Sequence, residues 1–543
     1  MDPACGSGNF LTETYLSLRR LENEVISLLH RGQIVLDLGN PIQVSIGQFY
    51  GIEINDFAVT VAKTALWIAE SQMMKETEDV VHMSLDFLPL KSYANIVEEN
   101  ALRIDWERVV PKSELDYIMG NPPFVGKKEQ SKEQKQELTD LFDKNEKKGV
   151  GNLDYVSGWY IKTAMFIQDT SIHAAFVSTN SITQGEQVSL LWGILIEKYG
   201  IRINFAHRTF KWESEANEKA AVHCVIIGFS VTIDGKYVLY TDGVCKTVSM
   251  INPYLMDAPT ILISSRNKPL CDVPEIITGN QATDDGNFYI QADEYNSFVA
   301  NEPQAVQYLR KAYNSQGFIN GKYQYCLWLV GVSPADLRKI PSVMERVQKV
   351  RQYRLSSPKE ATRKQANIPT LFTEIRQPEG NYIVIPKVSS ENRRYIPLGF
   401  LTHDVICNNT IKFVPDATLY HFGILCSNVH NAWMRTVAGR LEMRYQYSNT
   451  VVYNNFPWPE PTDDQKAKIE QTAQAILDAR ALYPDCSLAD LYDEVTMPPE
   501  LRKAHQQNDR AVMQTYGFDV KTMTETTCVA ELMKRYQKLV SKK

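Results

Sequence analysis

The sequence predicts an α/β fold with a mainly parallel sheet for the first part of the chain, an α+β domain for the middle and a helical segment at the end. Up to residue 233, glycine-punctuated strand-like runs alternate with helical patterns, which is typical of βαβ units. From residue 256 onward the strand-like pieces are short and separated by Pro and Gly turns. Amphipathic helices follow a proline-rich break at 457–461. The predicted domains are residues 1–255, 256–463 and 464–543.

Hydrophobic periodicity places the elements of the first domain. Residues 49–54 favour a strand, and residues 56–70 carry apolar side chains at helical spacing. Glu53 is therefore expected at the C-terminal end of a strand, the edge where open parallel sheets bind ligands. Further strands are predicted at 115–119, 173–178 and 222–229. In the helical segment, residues 464–482 are predicted as one amphipathic helix.

Composition narrows the class of protein. The chain has 543 residues, of which 44% are hydrophobic, and it is long enough for several buried cores. No run approaches the ~20 apolar residues that span a bilayer, so a cytoplasmic protein without membrane contact is expected. The nine cysteines have no paired spacing, which predicts neither a metal site nor a disulfide framework. With a net charge of -6, contact with nucleic acid requires a local basic surface.

A glycine-rich turn opens the chain, reading Asp2-Pro3-Ala4-Cys5-Gly6-Ser7-Gly8-Asn9-Phe10. Glycine allows a backbone to close on a charged ligand where any Cβ would collide. A G-x-G pattern alone is common and often only structural, but Glu53 lies roughly where a ribose-binding acid follows such a turn. The turn and the acid together predict a cofactor that contains a ribose.

A second motif reads Gly120-Asn121-Pro122-Pro123-Phe124 and follows a predicted strand. The two prolines stiffen the backbone, Asn121 contributes an amide acceptor, and Phe124 offers a flat stacking surface. This combination suits the recognition of a planar group that carries an amine.

The two motifs, in this order and at this separation, resemble the first and fourth motifs of the S-adenosylmethionine-dependent methyltransferases that modify adenine N6 in DNA. The resemblance implies a Rossmann-like methyltransferase domain with S-adenosyl-L-methionine as cofactor. It places Glu53 on the ribose, and it places four residues around the methionine part, namely Asp2, Ala4, Cys5 and Gly6.

The adenine end of the cofactor has two candidate contacts, one at Asp86 and one at Asn100-Ala101. Residues 96–106 resemble the third motif of large bacterial methyltransferases, so the second is preferred, with Asn100 bonding the adenine amino group. The alternative for Asn100 is a turn residue that ends a strand.

The transfer chemistry follows from the weak nucleophilicity of adenine N6. The Asn121 side-chain oxygen and the Pro122 carbonyl would accept the amino hydrogens, with Pro123 stiffening the loop and Phe124 stacking on the extruded base. Resemblance to the eighth motif selects Phe210 as the second stacking ring, whereas Trp212 is as readily ordinary core. Similar Asn-Pro-Pro-aromatic motifs serve enzymes that methylate cytosine N4 or a protein glutamine. Those alternatives remain, with adenine preferred.

Essentially the whole chain resembles the MmeI-like family of Type IIG/IIL restriction-modification proteins. The resemblance is carried by residues 386–395, 439–448 and 452–459 and continues into residues 491–493 and 497–501. It implies a site-specific adenine DNA methyltransferase whose target-recognition domain binds double-stranded DNA. Glu442 and Arg444 match the base-reading pair and suit one C·G base pair, with C directly 3' of the target adenine. The alternative is an exposed ion pair between residues two apart.

Members of that family usually begin with a nuclease domain, a helical connector and the first strand of the methyltransferase sheet. Here Met1 directly precedes Asp2, so the first strand is expected to be missing and the chain is expected to be a fragment or one half of a split protein. DNA cleavage is not expected, and methylation by the isolated chain is in question. An upstream nuclease or helical fragment supplied in trans is a candidate partner, and a catalytically vestigial DNA-binding fragment is the competing interpretation.

One basic segment offers a candidate DNA-backbone contact. Seven Lys and Arg side chains between Met344 and Lys364 could form a phosphate-facing stripe. The alternative is a solvated helix face.

Overall fold

The computed structural model describes residues 1–30, 42–81, 94–212, 222–232 and 235–542. The chain divides into two compact units, residues 1–262 and 263–543. The predicted domain boundaries at 255 and 463 remain predictions.

The first unit alternates strands and helices in its N-terminal part and ends in a run of strands. The strands are β1 (Tyr50–Glu53), β2 (Asn95–Glu98), β3 (Tyr117–Gly120), β4 (His173–Thr179), β5 (Arg202–Trp212), β6 (Val222–Ser230), β7 (Tyr237–Thr241) and β8 (Val244–Val248). The helices are α1 (Asn9–His30), α2 (Asp56–Val81), α3 (Lys132–Asp140), α4 (Ser157–Phe166), α5 (Gly185–Gln187) and α6 (Gly193–Glu197).

Two sheets of the first unit meet at the start of the chain. Strands β1 and β2 form a parallel pair, and the larger sheet has the order β3-β4-β6-β5-β7-β8. Asp2 bridges to Gly51 of β1 in the parallel sense. The Met1 amino group donates to the Tyr117 carbonyl oxygen (2.7 Å), and the Met119 N–H donates to the Met1 carbonyl oxygen (2.9 Å). Met1 and Asp2 therefore occupy the sheet position of the strand that the sequence predicted to be missing.

The half of the sheet around Met1 and Asp2 is parallel, as predicted. Strand β3 is parallel to β4, whereas β6 is antiparallel to both β4 and β5. Strands β1, β2, β3 and β4 therefore all direct their C-terminal ends, and the loops that follow, to one edge of the sheet.

Helices α1 and α2 cover this half of the sheet with a shared apolar core. It contains Leu11, Tyr15, Val59, Ala62, Leu66 and Met73. Helix α2 runs to Val81, well beyond the predicted end, because buried side chains recur along one face as far as Thr77. The polar residues between these positions conceal the periodicity in the sequence.

The second unit contains short strands followed by long helices. The strands are β9 (Ile277–Thr278), β10 (Tyr289–Ile290), β11 (Leu309–Tyr313), β12 (Gln324–Leu327), β13 (Tyr382–Pro386), β14 (Val388–Ser389), β15 (Gly399–Leu401), β16 (Ile406–Cys407), β17 (Ile411–Pro415), β18 (Gly439–Leu441) and β19 (Arg444–Gln446). The helices are α7 (Tyr295–Asn301), α8 (Ser315–Ile319), α9 (Pro334–Leu337), α10 (Pro341–Leu355), α11 (Glu360–Lys364), α12 (Leu419–Cys426), α13 (Asn428–Val437), α14 (Asp463–Ala481), α15 (Leu488–Leu491), α16 (Pro499–Thr515) and α17 (Glu525–Ser541).

The strands of the second unit form three small sheets, ordered β10-β12-β11-β16, β15-β13-β17-β9 and β14-β19-β18. Helix α14 matches the predicted amphipathic helix within one residue at each end, because Thr462 and Gln465 form a capping box at its start. Among the residues that the structure describes, no helix is long and apolar enough to cross a membrane.

The predicted phosphate-facing stripe between Met344 and Lys364 is wrong for two of its arginines. Arg354 is fully buried, and its guanidinium donates to five carbonyl oxygens, those of Ala282, Thr283, Gln365, Ile368 and Leu371. Arg346 donates to the carbonyl oxygens of Asn287 and Tyr289. Both side chains replace backbone partners that these turns lack, so the charge at these two positions reflects internal packing.

Candidate functional site

The glycine-rich turn closes on the C-terminal end of β1. The Cys5 N–H donates to the Ile52 carbonyl oxygen (3.1 Å), and the Gly6 N–H donates to Glu53 Oε2 (2.9 Å). Gly6 has a φ of +53°, a left-handed conformation that favours glycine. The Asn55 N–H donates to Glu53 Oε1 (3.0 Å), so each carboxylate oxygen takes one backbone donor and keeps acceptor capacity. Glu53 thereby holds the turn in place.

Asp2 lies behind this turn and is fully buried. Its Oδ1 accepts a hydrogen bond from the Ala4 N–H (3.0 Å), and burial raises the pKa of its carboxyl to about 7. A Cβ added to Gly120 would overlap Oδ1, so the Asp2 carboxyl packs directly against the residue that precedes Asn121. Asp2 therefore joins the glycine-rich turn to the start of the second motif.

A cavity of about 380 Å³ opens between the two motifs. Six of the residues predicted from the sequence line it, namely Ala4, Glu53, Asn100, Ala101, Asn121 and Pro123. Asp2, Cys5 and Gly6 lie in the turn beside the cavity and do not line it. The structure therefore brings four of the predicted cofactor residues to one cavity with Asn121 and Pro123 of the second motif, whereas Pro122 and Phe124 do not line it.

The second motif forms the loop after β3. Asn121 is exposed, Pro122 is buried and Phe124 is half-buried. Among the residues that the structure describes, none is hydrogen-bonded to the Asn121 side chain, so its amide can receive a ligand. Further along, the Val125 carbonyl oxygen accepts from the Tyr155 N–H (3.0 Å), which holds the loop to the segment before α4.

Asn100 is engaged at both ends of its amide. Its Oδ1 accepts from the Leu102 N–H (2.9 Å), and its Nδ2 donates to Glu137 Oε1 (3.0 Å). The bond from the Leu102 N–H is the one expected if Asn100 is a turn residue that ends a strand. Asn100 also lines the cavity, as expected of a residue that contacts the cofactor. The competing candidate, Asp86, lies outside the described residues.

Phe210 reaches the same edge of the sheet from β5. It pairs with Cys224 of β6, which pairs with Thr179 at the end of β4. Three strand spacings separate β5 from β3, about 14 Å. The Phe210 ring lies 4.8 Å from that of His207, and Trp212 is 38% exposed, so Trp212 is not core. The stacking role of Phe210 remains a prediction.

In the second unit, Glu442 and Arg444 lie at the tip of the hairpin of β18 and β19. Leu441 pairs with Arg444, and Glu442 has a φ of +58° in the turn between them. Arg444 Nη2 lies 2.8 Å from Glu442 Oε2, and the two side chains are 45% and 70% exposed. The ion-pair interpretation describes this geometry, and because an exposed pair contributes at most about 1 kcal/mol, either partner is readily released to a ligand.

Three family models match successive parts of the chain. They are the MmeI DNA-methyltransferase domain over residues 1–241, the MmeI target recognition domain over 257–460 and the MmeI C-terminal domain over 461–542. The chain belongs to the MmeI family.

Two known proteins are similar over nearly the whole of this chain. "DNA methyltransferase A" of Bacillus subtilis (strain 168) is 42% identical over 546 residues, covering 100% of this chain and 61% of the relative. The Type IIL restriction-modification enzyme MmeI, solved in complex with DNA, has a TM-score of 0.92 at 46% identity, covering 99% of this chain and 73% of that one. The chain thus spans about three fifths of the length of the Bacillus relative.

The cavity lies in the part that matches the MmeI DNA-methyltransferase domain, and the Glu442 hairpin lies in the part that matches the target recognition domain. The sequence motifs did not identify Gln134, Trp159 and Ile54 as cavity-lining residues. Trp159 stands in an apolar helical run that looks like core, but its Nε1 donates to the Pro3 carbonyl oxygen (2.9 Å). Among the described residues, no group of three or more His, Cys, Asp or Glu side chains could hold a metal ion.

Proposed function

We propose that this chain is a site-specific DNA methyltransferase that transfers a methyl group from S-adenosyl-L-methionine to N6 of adenine in duplex DNA, as the modification and specificity part of a restriction-modification system. The observation that carries the proposal is the single cavity lined by Ala4 and Glu53 on one side and by Asn121 and Pro123 on the other. The MmeI family, with a relative named as a DNA methyltransferase and another solved on DNA, supports DNA as the substrate.

The residues around the cavity fit the cofactor. The cavity volume of about 380 Å³ suits a ligand of the size of S-adenosyl-L-methionine. Glu53 keeps one acceptor site on each oxygen for the two ribose hydroxyls. Asn100 and Ala101 would bind the adenine ring, and the glycine-rich turn would hold the methionine part through Asp2, Ala4, Cys5 and Gly6. When bound, S-adenosyl-L-methionine supplies an electrophilic methyl group.

The residues of the second motif would prepare the acceptor nitrogen. The Asn121 side-chain oxygen and the Pro122 carbonyl oxygen accept the two N6 hydrogens, so the nitrogen lone pair can localise toward the methyl carbon. Transfer would be a direct displacement in which the N–C bond forms as the S–C bond breaks, and the proton that N6 gives up would leave to solvent. Phe124 and Phe210 would hold the target base after it swings out of the duplex. Positioning of this kind can account for about 7 kcal/mol of the barrier.

The hairpin would read one base pair beside the target. Glu442 can accept from cytosine N4, and Arg444 can donate to guanine O6 and N7, which predicts C directly 3' of the methylated adenine. On binding DNA, Glu442 and Arg444 would give up their ion pair and form hydrogen bonds to the bases instead, so charged hydrogen bonds are exchanged rather than lost.

The test uses the full chain with labelled S-adenosyl-L-methionine and mixed duplex DNA, followed by nucleoside analysis. We expect N6-methyladenine, and we expect Asn121→Ala to lower the rate at least about a hundredfold because one of the two acceptors is lost. Asn301→Ala, an exposed Asn in the second unit, is the control. Full activity of Asn121→Ala contradicts the transfer site, and label on cytosine N4 or on protein contradicts the substrate.

A second arm of the assay addresses the proposed partner. It adds the part of DNA methyltransferase A that this chain does not match. If label appears only in this arm, the catalytic unit needs a further fragment in trans. DNA binding without label in either arm favours the vestigial specificity fragment.

A further inference from the structure

We propose that Glu137 of α3 is a positioning residue of the cofactor cavity, whose single carboxylate orients Asn100 and Tyr155 in the cavity wall. The inference rests on the proposed function, because it assigns this residue a role in binding S-adenosyl-L-methionine. No sequence motif selected Glu137.

Helix α3 follows the loop that carries the second motif and contributes one face to the site. Ser131 and Gln134 form a capping box that starts the helix, and Gln134 lines the cavity. Glu137 lies three residues later, on the same face of the helix. Its side chain is only 9% exposed, and Leu138 beside it is buried. The helix is therefore anchored with the Glu137 carboxylate directed behind the cavity wall.

Three donors from other elements meet at this carboxylate. Asn100 Nδ2 donates to Oε1 (3.0 Å), Arg103 Nη2 lies 2.7 Å from Oε1, and the Tyr155 hydroxyl donates to Oε2. Asn100 and Tyr155 line the cavity, whereas Arg103 is 65% exposed and balances the charge. The acceptor therefore sets the orientation of two wall residues at once.

The contact continues to the glycine-rich turn. The Tyr155 and Trp159 rings meet edge to face at 5.2 Å, and Trp159 Nε1 donates to the Pro3 carbonyl oxygen (2.9 Å). Burial and the bond to Glu137 raise the pKa of Tyr155, so its hydroxyl stays protonated as a donor. Glu137 thus links the side of the cavity assigned to the cofactor adenine with the turn assigned to its methionine part.

Loss of the carboxylate removes the charged acceptor that Asn100 and Tyr155 share. In Glu137→Gln, one side-chain oxygen becomes an amide NH2. If the NH2 faces Asn100 Nδ2 it meets a second donor and cannot bond, and if it faces the Tyr155 hydroxyl it donates and turns that hydroxyl from donor into acceptor. In either case one wall residue loses its present charged hydrogen bond, which degrades the fit of the cofactor rather than the chemistry at Asn121.

The experiment combines calorimetric titration of the full chain with S-adenosyl-L-methionine and initial rates on duplex DNA. For Glu137→Gln we expect Kd and KM for the cofactor to rise about tenfold, as for the loss of one charged hydrogen bond, and kcat at saturation to stay within about twofold. A merely structural role would lower the free energy of unfolding and the active fraction without changing the Kd of the folded protein.

Two further variants keep the test interpretable. Tyr155→Phe removes only the hydroxyl and keeps the ring against Trp159, so we expect a Kd increase of about threefold and no added loss in the double variant with Glu137→Gln. Glu133→Gln, an exposed acid on the same helix, is the control and should leave Kd unchanged.

The outcomes separate this inference from the proposed function. If the parent chain binds the cofactor and Glu137→Gln binds it with the same Kd, the role of Glu137 is wrong and the proposed function stands. If Glu137→Gln does not fold, an unchanged Kd for Tyr155→Phe overturns the inference. If the parent chain does not bind the cofactor even with the added part of DNA methyltransferase A, the proposed function itself is wrong.

Discussion

At the scale of single residues, Glu442 combines an unfavourable backbone with an exposed side chain. A left-handed conformation costs a non-glycine residue about 1–2 kcal/mol, and the φ of +58° at Glu442 lies in that region. Its carboxylate is 70% exposed and makes only a surface ion pair. The surface ion pair therefore stabilises the fold by less than the strained backbone destabilises it. This imbalance favours a role for Glu442 in binding.

Glu442→Gly is expected to separate stability from specificity. Relief of strain offsets the greater freedom of glycine in the unfolded chain, so the free energy of unfolding should stay level or rise by up to about 1 kcal/mol. Mapping of methylated sites should show loss of the preference for C 3' of the adenine. Asp416→Gly, at another left-handed position, is the control and should keep the site preference. An unchanged preference in Glu442→Gly would argue against base reading by this residue.

At the scale of elements, the contact between β3 and the Asp2 carboxyl couples the two motifs. Gly120→Ala places a Cβ on Asp2 Oδ1, and the fully buried carboxyl has no space to retreat. We expect a loss of about 1–3 kcal/mol in urea unfolding, together with weaker cofactor binding. Gly151→Ala, where a Cβ meets nothing within 4 Å, is the matched control and should cost less. Equal effects of the two substitutions would contradict the coupling.

The elements of the first domain were predictable wherever one periodicity dominates. Strands β1, β3, β4 and β6 lie within two residues of the predicted ranges, because each is a short apolar run bounded by polar or glycine residues. Helix α2 was underestimated because its buried face continues beneath a polar sequence. Local sequence patterns do not show which backbone carbonyl groups lack hydrogen-bond partners. Arg354, which binds such carbonyls, was therefore predicted to be a surface charge.

The candidate site was predictable to the extent that it depends on short motifs. Ala4, Glu53 and Asn121 reach one cavity because parallel strands end at one edge. Glu137 could not be found in this way, since its role depends on the packing of α3 against a turn more than thirty residues earlier.

At the scale of the whole molecule, the second compact unit includes both the predicted recognition domain and the predicted helical segment. The Asp509 carboxyl on α16 accepts from the Tyr395 hydroxyl (2.7 Å) and from the Asn428 N–H (2.6 Å). The Asn508 Nδ2 donates to the Gly423 carbonyl oxygen (2.7 Å). Buried polar contacts of this kind join the two parts.

Asp509 predicts a pH dependence of stability. Burial raises its pKa from 3.8 to about 6, so between these values the folded chain keeps a proton that the unfolded chain loses, and stability falls as pH rises. The change amounts to about 3 kcal/mol. Asn mimics the protonated carboxyl, so Asp509→Asn should remove this fall. The free energies of unfolding of the parent and the variant, measured from pH 4 to 7, should lie close at pH 4 and separate as pH rises, with the parent the less stable. Parallel profiles would contradict the shift.

Arg354 affects how DNA contacts are best mapped in this chain. Replacement of basic residues one at a time by alanine would report position 354 as a strong hit, since five carbonyl oxygens lose their shared donor and the turns around them open. That hit would be a false positive for the DNA interface. A survey that records melting temperature beside DNA affinity discards it, and the remaining positions mark the true footprint.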